Sequence, residues 1–187
     1  MAIRKILTFP DPFLKQEADD VENIDGRIVQ TMDDMAQTMY AAPGVGLAAP
    51  QIGLNERIVV VDVGEEDENG ERGKELIEII NPEIVEEEGE IVWEEGCLSV
   101  IDFRAEVTRS NQILVKGYDR NQKEISLEAE GLLAVALQHE IDHLDGTLFL
   151  DHLSRLKRDM YSRRVKKALR EGRPIARDED DEDDEDS

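Results

Sequence analysis

The residue pattern predicts an α+β fold, with largely antiparallel strands packed around one central helix and a further helix at the C-terminal end. Two observations carry this expectation. Short apolar runs suited to strands cluster between residues 57 and 127, and helical periodicity brackets them near 25–41 and 131–144. Strands grouped apart from helices, rather than alternating with them, indicate α+β instead of a parallel α/β sheet. The 187 residues are enough for one hydrophobic core that needs no disulfide.

Taken in order, Ile3, Ile6 and Leu7 lead into Phe9-Pro10-Asp11-Pro12, an extended segment ending in a turn. Ile28, Val29, Met32, Met35, Ala36 and Met39 recur at helical spacing, so 25–41 reads as an amphipathic helix with Asp25 as its N-cap and its methionines in the core. Residues 42–53 combine glycines at 44, 46 and 53 with prolines at 43 and 50, which describes a loop that a ligand or another chain can approach closely. It is no phosphate loop, because no Gly-Lys-Ser/Thr follows and no strand precedes it. Gln51 ends its apolar stretch as a neutral donor and acceptor.

Strands are expected at 57–63, 75–80, 91–93, 105–107, 113–118 and 123–127, with an acidic surface turn at 64–73 and an acidic, partly edge segment at 84–90. A helix follows at 131–144, and Gly146 is its stop signal. A last helix spans 154–171, capped by Ser154, with sparse apolar positions at Leu156, Met160, Val165 and Leu169 and a mostly basic, solvated surface. The expected organisation is therefore a body of residues 1–153, a basic helix of 154–173 and an acidic tail of 174–187.

The formal net charge of −23 is unevenly spread. Residues 155–177 hold ten Lys or Arg against Asp159 and Glu171, whereas 178–186 are nine consecutive acids with nothing apolar to bury, a composition that stays disordered. An acidic body excludes general or sequence-specific nucleic-acid binding, while the basic segment can still meet a polyanion. The tail reads first as solubilising, and its charge also suits folding back on the basic helix. No apolar leader or long apolar run indicates secretion or membrane spanning. The single cysteine, Cys97, forms no internal disulfide, which fits a reducing compartment.

The chemistry concentrates in Gln138-His139-Glu140-Ile141-Asp142-His143-Leu144-Asp145-Gly146. Histidines four apart project from one helix face and can hold one divalent metal, with Glu140 beside them as a candidate base for an activated water. Leu132, Val135 and Ala136 extend the same face, which suits plain core as well as the lining of a pocket beside the metal. His-Glu-x-x-His alone is equally compatible with two ordinary helical histidines, so a third ligand decides. The peptidase continuation would put a histidine at 149, where this chain has Phe149, and His152 is out of register. Cys97 is the one thiol, and a two-His, one-Cys set leaves a fourth position open, as catalytic sites do.

Three stretches together, Gly44-Val45-Gly46-Leu47-Ala48-Ala49-Pro50-Gln51, Glu95-Gly96-Cys97-Leu98-Ser99 and the His139 segment, resemble the peptide deformylase family in content and order. The resemblance runs to about residue 172. One departure is Ile101, where many members have a proline. The resemblance implies hydrolytic removal of the formyl group from formyl-methionyl nascent chains in the cytoplasm, with release of formate. It implies Cys97, His139 and His143 as metal ligands, Glu140 as acid–base, and Gln51 with the Leu98 backbone N–H as oxyanion donors. Val45 becomes a pocket wall opposite Leu132, Val135 and Ala136, Gly44 and Gly46 leave backbone for an extended substrate, and Glu95 and Gly96 complete the lining. Glu95 is expected to pair with Arg109 and brace the Cys97 turn. Fe(II) is the metal that the resemblance favours; the donor set also accommodates Zn(II), Ni(II) or Co(II). A ribosome docked through the basic helix is the implied partner. A zinc peptidase lacks its third ligand here, and a structural metal module lacks the second cysteine that would close its site.

Overall fold

The computed structural model describes residues 2–65 and 75–175; most of the expected turn at 64–73 and nearly all of the acidic tail lie outside the described residues. Helix α1 (Gly26–Ala41) begins where the Asp25 carboxylate accepts from the backbone N–H groups of Arg27 and Ile28. These are donors that the first helical turn cannot otherwise satisfy. Met32, Met35 and Met39 are fully buried on its inner face, as their spacing predicts.

The strands form two antiparallel sheets. Five strands, β1 (Gly46–Ala48), β2 (Ile58–Val61), β3 (Ile77–Glu88), β6 (Gln112–Tyr118) and β7 (Glu124–Glu130), lie in the order β1-β2-β3-β6-β7. A separate ribbon pairs β4 (Ile91–Cys97) with β5 (Val100–Arg109). Helix α2 (Leu132–Leu144) packs against β1, β2 and β7, burying Ala134, Ala136, Leu137, Ile141 and Leu144 against sheet residues such as Val59, Ile79 and Val115. The α+β expectation therefore holds, with the central helix where the periodicity puts it. Among the described residues, no helix is long and apolar enough to cross a membrane.

Several boundaries differ, for identifiable reasons. The glycine-rich loop contributes β1 itself, since Gly46, Leu47 and Ala48 pair with Val61, Val60 and Val59, and a short 3-10 turn over Ala49–Ile52 then carries Gln51. The two segments expected on either side of Asn81-Pro82 are one strand, β3, whose irregularity between Ile80 and Glu83 absorbs the proline. Asn81 adopts φ 51° there, and its side chain bonds both the N–H and the carbonyl of Val21. Strands β4 and β5 run longer than their apolar residues suggest, because a two-stranded ribbon exposes much of its surface and tolerates charge there.

Helix α3 (Arg155–Glu171) starts at Ser154, whose hydroxyl accepts from the Lys157 N–H. Of its sparse apolar positions only Val165 is fully buried. Leu156 and Leu169 are 66% and 59% exposed, and the stripe that packs inward is Tyr161, Arg164, Val165 and Ala168. Hydropathy hid this stripe because two of its four members carry polar groups that find partners inside. The N-terminal segment threads between two loops of the site, with Leu7 N–H donating to Gln51 O and Phe9 N–H to Ser99 O, both at 2.7 Å.

Candidate active site

Helix α2 delivers His139 and His143 one turn apart, their rings edge to face with centroids 5.1 Å from each other. Cys97 ends β4, and a register shift at Gly96/Cys97 turns its sulfur toward the helix. The sulfur lies 3.3 Å from His143 Nε2, and one ligand atom each from Cys97, His139 and His143 fall within 4.8 Å of one another. Among the described residues this is the one His/Cys/acid group so arranged.

The surroundings fit a metal. His139 Nδ1 donates to Glu95 Oε2 at 2.7 Å, which fixes the tautomer and leaves Nε2 as the lone-pair nitrogen. Glu95 is itself gripped by Arg109, with Nε on Oε1 at 2.7 Å and Nη2 on Oε2 at 3.0 Å. Arg109 Nη1 reaches Asp142 Oδ2 at 2.6 Å, and His152 Nε2 meets the same oxygen at 2.8 Å. Burial alone would raise the Glu95 carboxyl, yet His139 and Arg109 overcome it and bring it down to about 2. Burial keeps His143 well below the ordinary histidine range, in the neutral form a ligand requires. Burial opposes protonation of His139 as well, but the Cys97 sulfur and Glu95 beside it raise His139 well above that range.

Glu140 faces the same space. Burial pushes its carboxyl up to about 7, and its buried Oε2 has no hydrogen-bond partner among the described residues. An orphaned carboxylate oxygen next to an uncapped donor trio is what a site built for a cation and a water would present. Gln51 is held with Oε1 accepting from Ala48 N–H at 2.8 Å, so its Nε2 is directed to Ser99 Oγ at 3.1 Å and toward the Cys97 sulfur at 3.6 Å.

These groups share a cavity of about 480 Å³. Its walls include Gly44, Val45 and Gly46 from the loop, Leu132, Val135 and Ala136 from α2, and Glu95, Gly96 and Leu98 around Cys97. Of the residues singled out in the sequence, His143 alone does not line it, being 1% exposed beneath the surface. The Glu95 carboxylate is turned toward His139 and Arg109, so its geometry is that of a brace. Sequence reasoning missed Trp93, Asp102, Phe103 and Arg104, which extend the cavity along the ribbon, and Asp142 and His152, which complete the Arg109 network. The alternation of β4 could have flagged Trp93 beside Glu95. Phe149, informative in the sequence only as a missing ligand, stacks on the His139 ring at 5.9 Å and 28°.

A half-buried thiol and two buried imidazoles at a mixed polar and apolar cavity, with a buried carboxyl beside them, are the donor set of a metal-dependent hydrolase centre. Comparison with known proteins makes this specific. The family model described as Polypeptide deformylase matches residues 3–159. The chain is 53% identical to a peptide deformylase of Syntrophobacter fumaroxidans over 171 residues, covering 91% of this chain and 98% of that one. It is 49% identical to a counterpart from Thermodesulfovibrio yellowstonii, covering 89% and 98%. The crystal structure of a peptide deformylase from Legionella pneumophila superposes with TM-score 0.82 at 49% identity, covering 90% of this chain and 96% of that one. One from Ehrlichia chaffeensis in complex with actinonin gives 0.82 at 44%, covering 89% and 98%. The chain belongs to the polypeptide deformylase family.

Two outcomes are expected from this geometry. A Cβ at Gly46 would lie 2.8 Å from both Cγ and Cδ of Glu140, so Gly46→Ala must displace the base. Steady-state kinetics of that variant should show kcat falling by about 10²-fold or more, the scale of a misplaced general base, with metal content retained. Glu95→Gln leaves the buried Arg109 with Asp142 as its one remaining carboxylate and His139 with none; metal titration should show affinity lower by about 10–100-fold, and denaturant unfolding a loss of roughly 3–5 kcal/mol.

Proposed function

We propose that this chain removes the formyl group from the N terminus of formyl-methionyl peptides, releasing formate and a free amine. The observation that best supports this reading is the enclosure of Glu140, the Cys97/His139/His143 donors and the Gln51 amide in one cavity with an apolar side pocket. Cys97, His139 and His143 would hold one divalent ion. Such an ion, when bound, supplies Lewis acidity, polarising the formyl carbonyl and easing the ionisation of water near neutral pH.

The remaining chemistry falls to the chain's own residues. Glu140 takes a proton from the attacking water and delivers it to the departing nitrogen, so that the C–N bond breaks as a neutral amine leaves. A base of this kind benefits from burial, which brings its proton affinity near neutrality. As water adds to the formyl carbon, negative charge gathers on the former carbonyl oxygen. Gln51 Nε2 and the Leu98 backbone N–H are the donors for it, each such contact being worth about 3–4 kcal/mol. Gln51 is prepositioned for this by its bond to Ala48 N–H. Leu132, Val135 and Ala136 on one side and Val45 on the other receive the methionine side chain. Gly44 and Gly46 permit a peptide backbone to lie alongside β1 as an added strand.

Fe(II) is the native ion in this reading, with Zn(II), Ni(II) and Co(II) as functional substitutes, since two imidazoles and a thiolate suit all four. Protein purified without oxygen should carry iron by elemental analysis. It should release formate from formyl-Met-Ala-Ser, with loss of activity on chelation and recovery on reloading. Glu140→Gln should retain the metal while kcat/KM drops by about 10²–10⁴-fold. Absence of formate from metal-loaded protein would overturn the proposal, and cleavage of internal peptide bonds would favour a peptidase instead.

The substrate class implies a cytoplasmic enzyme working where new chains emerge, and the outward face of α3 suits docking on ribosomal RNA there. Arg155, Lys166, Lys167 and Arg170 are exposed on that face. Cosedimentation with ribosomes should weaken steeply with salt. Charge reversal at these four positions should abolish it while leaving turnover of free peptides unchanged.

A further inference from the structure

Helix α3 meets the body through the stripe Tyr161, Arg164, Val165 and Ala168, and its two polar members converge on one turn. Tyr161 Oη donates to Ile101 O at 3.1 Å, and Arg164 Nη2 donates to Asp102 O at 2.8 Å. The guanidinium carbon also stands 5.8 Å above the Phe103 ring and 5.2 Å from that of Tyr161. Three consecutive residues at the start of β5 are thus each held by the helix.

That turn belongs to the catalytic cavity. Val100 pairs with Cys97 across the ribbon, and Val100, Asp102, Phe103 and Arg104 all line the cavity wall. Asp102 adopts φ 51°, a conformation a non-glycine residue keeps only when its surroundings impose it. No proline stiffens residues 97–104. The same helix is linked to a metal-ligand ring through aromatic contacts, from Tyr161 to Phe103 at 4.8 Å, Phe103 to Phe149 at 6.1 Å and Phe149 to His139 at 5.9 Å.

Ordinary packing of a terminal helix would account for a buried apolar stripe. Here the large apolar residues Leu156 and Leu169 face outward, while a tyrosine hydroxyl and a guanidinium are taken inside. Burying such groups is unfavourable unless they find partners, and the partners they find are backbone carbonyls of the cavity turn. The contacts therefore specify where that turn sits.

We propose that α3 is a positioning element of the catalytic pocket, with Tyr161 and Arg164 fixing the 100–104 wall against which the peptide beyond the formyl-methionine lies. This rests on the deformylase reading for the identity of the peptide. The turn supplies no metal ligand and no proton-transfer group, so its displacement bears on peptide binding and leaves the chemical step intact.

The test compares full-length, metal-loaded Tyr161→Phe, Arg164→Leu and Arg164→Lys with the parent and with Arg163→Ala, an exposed control on the same helix. Formyl-Met-Ala-Ser and formyl-methionine amide are the substrates, and amide hydrogen exchange is followed over 100–104. Tyr161→Phe and Arg164→Leu should raise KM for the tripeptide about five-fold or more, the scale of one lost hydrogen bond, with kcat and metal content unchanged. The short amide should be little affected, Arg164→Lys should recover part of the loss, and exchange should accelerate at 101–104 but not in α1. Unchanged KM and exchange in Tyr161→Phe would overturn the proposal. So would equal losses on both substrates with exchange accelerated throughout the protein, which would mark a merely structural helix. The exchange readout is independent of turnover, so an inactive parent would overturn the deformylase reading without mimicking either result.

Discussion

A carboxylate buried behind the metal group is the constraint on which the rest depends. Glu95 is 4% exposed and Arg109 6%, so both charges have left water. Desolvation on this scale is tolerated only when geometry and partners are complete. They are complete here because three elements cooperate. Strand β4 supplies Glu95, β5 supplies Arg109, and α2 supplies His139 and Asp142 as the outer partners. Withdrawing Arg109 leaves the Glu95 carboxylate buried without a cation other than the His139 ring beside it. The cluster thereby couples the docking of the ribbon on the helix to the orientation of an imidazole, and one tautomer of His139 follows from a tertiary contact.

The opposite wall works by close approach instead of charge. The Glu140 side chain occupies the space that a side chain at position 46 would need, which is why the loop passes α2 as glycine and not as alanine. Pairing of Gly46 with Val61 makes that loop an edge of the five-stranded sheet, so the base is confined by a strand and not by a mobile segment. The same edge is where an extended peptide can add. One short strand therefore both confines the Glu140 side chain and forms the edge of the sheet.

Much of this was legible in the sequence, and the limits have physical causes. The i, i+4 histidines, the apolar face that leads to them and the lone thiol are local or compositional signals, and the structure brings those residues together from α2 and the end of β4. The Glu95–Arg109 pair was also anticipated. What could not be read depends on long-range contacts. β1 looked like loop because its pairing partner lies in β2, and β3 looked broken because Asn81 finds Val21 far away in sequence. The inner face of α3 could not be read because burial of Arg164 and Tyr161 depends on carbonyls sixty residues distant, which hydropathy cannot register.

Phe149 shows why the origin of the third ligand matters. In a helix-extended metal site the three ligands lie close in sequence, so the donor group can assemble with little tertiary structure. Here Phe149 takes up a packing role against His139, and the thiolate comes from a ribbon more than forty residues earlier. The donor trio exists only when β4 and β5 are closed onto α2. Metal affinity in such a centre includes the free energy of that closure. Whatever steadies the Glu95 and Cys97 end of β4, the Arg109 pair foremost, then contributes to holding an ion. The link between ribbon and donor trio follows from the fold itself, since Cys97 ends the same strand that carries Glu95 to His139.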